Sequence, residues 1–203
     1  LRPTPRIRRV SPELFRRLLF LETARNHEPI RITSAQTMIR PILTFPEPVL
    51  KQKSAPVTII TDEILQLAKD MAETMYDAPG VGLAAPQVGV LQRVIVIDVA
   101  GRNQPPQLFT VINPVIIHGE GEAYEEEGCL SVPEYSANVR RHERVAVKGL
   151  TLEGHEHIWH ADGLLAIAFQ HEIDHLDGIL FVDRLSPLKR QLFLKKSKKR
   201  GAQ

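Results

Sequence analysis

The sequence predicts an α+β fold, with antiparallel sheets packed around a central metal-binding helix and a further helix at the C-terminus. Helical periodicity is confined to residues 62–76 and 162–176, strand-like stretches lie before and after Cys129, and the two kinds do not alternate as in a parallel α/β sheet. The later helix carries His171-Glu172-Ile173-Asp174-His175. At 203 residues and 43% hydrophobic content, the chain suits one domain with a single core.

Residues 1–37 hold eight Arg, three Glu and no Lys. That is the composition of a transit peptide, and no apolar run of a secretory signal is present. They are read as an extension that is disordered, transit-like or ahead of the true start, since Met38 stands where the principal domain begins. Residues 38–183 form that domain and 184–203 a basic helical tail. The net charge of +2 hides a partition, with +5 on residues 1–37, −11 on 38–183 and +8 on 184–203. No stretch is apolar enough to span a membrane.

Within the domain, Ile64, Leu65, Ala68, Met71, Ala72 and Met75 have helical spacing. The segment Gly80-Val81-Gly82-Leu83-Ala84-Ala85-Pro86-Gln87 contains a Gly-x-Gly-x-x-Ala pattern. A dinucleotide loop follows a strand and opens a helix, whereas this segment follows a helix and precedes the strand-like Val94–Val99, so the nucleotide reading is rejected. Its small residues suggest a backbone that another chain approaches closely, with Gln87 offering an amide donor nearby. Residues 145–159 read as a solvated hairpin broken by Gly149 and Gly154, with His155 and His157 on one face.

Cys129 is the only cysteine, so no internal disulfide forms. A lone cysteine is commonly an inert buried thiol, but Glu126-Glu127-Gly128 before it is poor company for a core residue. His171 and His175, four apart on a helix, share one face. Glu172 is rotated roughly 100° from His171, which suits it to take a proton from activated water rather than to ligate. No His or Glu follows His175, and Asp177 falls on the wrong side of the helix, so a third ligand is sought upstream. Cys129 with two His gives a set of two nitrogens and one sulfur, three protein ligands with one open position. Such a set does not need Cys129 as a nucleophile. Leu164, Ile167, Ala168 and His171 at i, i+3, i+4 and i+7 form an apolar stripe leading to a ligand. That stripe is either core packing or the wall of a pocket for an unbranched apolar side chain. Asp174 and Glu127 are placed to accept imidazole N–H groups, and Arg141 to pair with either.

Three separated motifs closely resemble those of the peptide deformylase family: Gly80-x-Gly82-x-Ala84-Ala85-x-Gln87, Glu127-Gly128-Cys129-Leu130-Ser131, and Gln170-His171-Glu172-x-Asp174-His175-Leu176-x-Gly178. The resemblance runs from about Met38 to the end of the chain. It implies a metal held by Cys129, His171 and His175, with Fe2+ preferred and Zn2+, Ni2+ or Co2+ as substitutes. Glu172 would be the general acid/base, and the Gln87 side chain and Leu130 backbone N–H would stabilise the oxyanion. The implied reaction removes the formyl group from N-terminal formylmethionine of nascent polypeptides and releases formate. Leu164, Ile167, Ala168 and Val81 would wall the methionine pocket, and Gly80 to Leu83, Gly82 included, would pair with the substrate as an added strand. The implied partner is the ribosome near its exit tunnel, through RNA contact by the basic tail. The implied compartment is the bacterial cytoplasm, or an organelle if residues 1–37 are a transit peptide. A metallopeptidase and an inactive ribosome-associated binding module are the alternatives. Where the family often carries an Arg just after the cysteine motif, this chain has Ser136.

Overall fold

A computed structural model describes residues 37–101 and 104–200. Residues 1–36, with nearly all of the expected N-terminal extension, lie outside the described residues. The helical periodicity after residue 61 becomes α1 (Asp62–Asp77), whose buried face is Leu67, Ala68, Met71, Ala72 and Met75. Seven strands follow: β1 (Gly82–Ala84), β2 (Val94–Ile97), β3 (Phe109–Glu120), β4 (Ala123–Cys129), β5 (Val132–Arg141), β6 (Arg144–Leu150) and β7 (Glu156–Asp162). Then come α2 (Gly163–Leu176), a short 3-10 turn at Phe181–Arg184, and α3 (Pro187–Arg200).

All strand pairings are antiparallel, in a five-stranded sheet of order β1-β2-β3-β6-β7 and a separate two-stranded β4–β5 sheet. The short strand β2 explains how the large sheet is buried. Its four residues Val94, Ile95, Val96 and Ile97 are all 0% exposed, and because side chains alternate along a strand they must enter two cores. Ile95 and Ile97 pack with Phe169, Ile173 and Leu176 of α2, while Val94 and Val96 pack with Met71 and Met75 of α1. A third cluster gathers Leu50, Val132, Val139, Phe181 and Phe193 beneath the small sheet. The apolar content is therefore divided among three clusters rather than a single core.

Helix α2 is central, with every residue from Ala166 to Leu176 buried. The expected hairpin is β6–β7, but Gly149 does not break it, because it pairs in register with His157. A Cβ at Gly149 would come within 2.6 Å of Val111 Cγ1, so the glycine serves a close contact between strands. The expected C-terminal helix is present as α3, and it is not wholly solvated: Phe193 is 5% exposed and lies against Phe45 and Tyr135. Among the described residues, no helix is long and apolar enough to cross a membrane.

Candidate metal centre and active site

The one-turn separation of His171 and His175 on α2 brings their rings to 5.0 Å between centroids. Strand β4 ends at Cys129 and delivers its Sγ to 3.2 Å from His175 Nε2. Ligand atoms of Cys129, His171 and His175 all lie within 4.8 Å of one another, the one such group of three or more among the described residues. A soft sulfur with two imidazoles suits a divalent transition ion. The His171 ring is already oriented, since its Nδ1 lies 2.8 Å from Glu127 Oε2. His175 is kept neutral because burial pushes its pKa well below the ordinary imidazole value, as a nitrogen donor must be.

Glu127 was expected to accept from an imidazole, and it does. Asp174 does not. It is paired with Arg141 and Arg184 instead. Arg141 resolves the choice between partners by taking both: Nε and Nη2 donate to Glu127 at 2.7 and 3.0 Å, and Nη1 to Asp174 at 2.5 Å. Burial would raise the Glu127 carboxyl, but the bonds from Arg141 and His171 outweigh it and hold its pKa at about 2.

Glu172 sits differently. It is 4% exposed and its Oε2 has no hydrogen-bond partner, and burial pushes its pKa up to about 7. A Cβ on Gly82 would stand 2.4 Å from Glu172 Oε1, so the missing side chain makes room for the acid. The absent side chain at Gly82 thus serves a close approach within the chain itself, by Glu172. Gln87, 1% exposed, is also fixed, with Oε1 accepting from Ala84 N–H at 2.8 Å and Nε2 turned to Ser131 Oγ at 3.1 Å and Cys129 Sγ at 3.7 Å. The orienting role of Ser131 was not anticipated, although it lies inside the cysteine motif.

These groups meet on a cavity of about 370 Å³ lined by Gly80, Val81, Gly82, Gln87, Cys129, Leu130, Leu164, Ile167, Ala168, His171 and Glu172. His175, 1% exposed, is not part of that lining. Ile167 and Ala168 are buried and Leu164 is exposed, so the stripe on α2 serves both as core and as cavity wall. Ser136 donates from Oγ to Glu126 at 2.5 Å, and Glu126 also lines the cavity.

A buried, proton-accepting carboxylate beside a Cys-His-His donor set, opening on an apolar-walled cavity, is the arrangement of a metal-dependent hydrolase. A family profile described as polypeptide deformylase matches residues 39–191, and the chain belongs to that family. The peptide deformylase of Acidobacterium capsulatum is 50% identical over 162 residues, 80% of this chain and 95% of the relative. The crystal structure of a peptide deformylase from Legionella pneumophila superposes with a TM-score of 0.74 at 46% identity, covering 81% of this chain and 98% of that one. A Met-Ala-Ser-bound class I type b peptide deformylase from Acinetobacter baumannii gives a TM-score of 0.70 at 38% identity, covering 74% and 100%.

Proposed function

We propose that Cys129, His171 and His175 hold one divalent ion, and that on it the chain removes the formyl group from N-terminal formylmethionine of nascent polypeptides, releasing formate. The observation that carries this reading is the convergence of three donors on one another, two of them lining, with a buried carboxylate and a fixed amide, one apolar-walled cavity. When bound, the ion supplies Lewis-acid polarisation of the carbonyl and a lowered pKa for water. Glu172, with a pKa near neutrality, takes the proton released as water attacks and returns it to the departing amine. Gln87 cannot turn its oxygen inward, because that oxygen accepts from Ala84 N–H. Its Nε2 therefore serves the developing oxyanion together with the Leu130 N–H, where one preorganised donor is worth ~3 kcal/mol.

Val81, Leu164, Ile167 and Ala168 are assigned to the methionine side chain, and the Acinetobacter relative holding Met-Ala-Ser supports an N-terminal methionine there. β1 is the terminal strand of its sheet, which suits pairing of Gly80 to Leu83 with an extended peptide. We assign Fe2+ as the preferred ion, with Zn2+, Ni2+ and Co2+ acceptable to a set of two imidazoles and a thiolate. The −11 body and the basic α3 are read as a catalytic domain and a ribosome-contacting tail in a bacterial cytoplasm. The test is formate release from formyl-Met-Ala-Ser by anaerobically loaded protein, with acetyl-Met-Ala-Ser as the control. Glu172→Gln is expected to lose about 10²–10⁴ in rate while keeping its metal. Equal turnover of both peptides, or cleavage of the internal amides, would overturn the reading.

A further inference from the structure

We infer that Arg184, which lines neither the catalytic cavity nor touches a metal donor, is a positioning residue for the metal centre. The inference rests on the reading of His171 as a ligand. A ligating imidazole takes its orientation from the partner of its other nitrogen, and for His171 that partner is Glu127. Glu127 is held through both oxygens by Arg141, and the remaining bonded nitrogen of Arg141 goes to Asp174. Arg184 closes the series, donating from Nε to one oxygen of Asp174 and from Nη2 to the other.

Without that two-pronged grip, Asp174 would be held by a single N–H from Arg141 and free to rotate. The guanidinium fork is what fixes the plane of a carboxylate, and an ammonium cannot reproduce it. The side-chain exposures along the series are 41% for Arg184, 9% for Asp174, 2% for Arg141, 4% for Glu127 and 10% for His171. The line therefore starts at the surface and runs through closely packed interior charges to a metal ligand. The same 3-10 turn touches His171 by a second route, since the Phe181 ring stacks on the imidazole at 6.1 Å between centroids and 25° between planes. That turn leads directly into α3, so the C-terminal helix is tied through Arg184 to the ligand ring.

An ordinary half-exposed ion pair would shift stability slightly and nothing else. The discriminating experiment follows transfer of Zn2+ from the loaded enzyme to a chelator, and the visible spectrum of the Co2+-substituted enzyme, for wild type, Arg184→Met and Arg184→Lys. Arg184→Met is expected to weaken Zn2+ binding about tenfold, the lower end for loss of a ligand-orienting partner, and to shift the Co2+ bands. Arg184→Lys is expected to recover only part of both. Wild-type affinity and spectrum in Arg184→Met would overturn the inference, as would complete recovery by Lys. Failure of the wild-type chain to take up one Zn2+ would overturn the ligand reading beneath it, a result distinct from either of those.

Discussion

Gly82 and Glu172 show how far a single residue constrains the site. The space that a methyl group would fill belongs to the Glu172 carboxylate, so Gly82→Ala is expected to push Glu172 from its place without touching a proposed metal donor. The predicted outcome is a fall in formate release of at least about 10²-fold, comparable to loss of a general base, with metal content unchanged by elemental analysis. Retention of full activity would show that Glu172 has room to move. His171, His175 and Glu172 were legible as a group from spacing, because a helix imposes the i, i+4 relation, whereas Cys129 entered through its residue chemistry and the family resemblance. The partner of Arg141 was not, since Arg141, Glu127 and Asp174 come from three different elements and sequence carries no register between them. The glycine motif pointed to a close approach, but which group approaches depends on where α2 docks against β1.

At the scale of elements, α1 and α2 were expected within a residue or two of where they lie, and periodicity is the reason. The small β4–β5 sheet was not foreseen as separate from the large one, because strand partners are chosen by long-range packing. The tail held the larger surprise. Its sequence reads as a solvated basic helix, yet Phe193 anchors it to Phe45 and Tyr135. Deleting residues 186–203 is therefore expected to cost about 3–5 kcal/mol for the lost Phe alone, which would confound any binding assay. Replacing Lys195, Lys198 and Lys199 by Gln while keeping Phe193 should leave thermal stability within about 0.5 kcal/mol. If α3 contacts ribosomal RNA, the same variant binds ribosomes more weakly and with a shallower salt dependence. Identical affinity and salt slope would remove α3 from that role.

For the molecule as a whole, the acidic body is stabilised by carboxylates that the fold supplies with donors. Burial alone would raise Asp98, but the Tyr76 hydroxyl at 2.7 Å and the N–H groups of Ala100 and Gln107 hold its pKa below the ordinary range. Asp70 is lowered in the same way by Met38 N–H, Gln66 and Arg40, against the effect of burial. A carboxylate depressed in the folded state contributes stability that is complete above its unfolded value near 4 and is lost as the pH falls through the folded value. The melting temperature is thus expected to drop on acidification below about pH 4, and Asp98→Asn to lose part of that dependence. Parallel melting curves against pH for the two proteins would sink this assignment. By itself the sequence pointed to the reaction class, the proposed donors Cys129, His171 and His175, the proposed base Glu172 and the two helices, because each is written in local spacing and residue chemistry. Only the tertiary structure decided what lies between them: that Gly82 yields its space to Glu172, that Arg141 bridges Glu127 and Asp174, and that the tail packs on the body. Those facts depend on how separate elements meet, and that is set by burial of apolar faces across the whole chain rather than by any stretch of it.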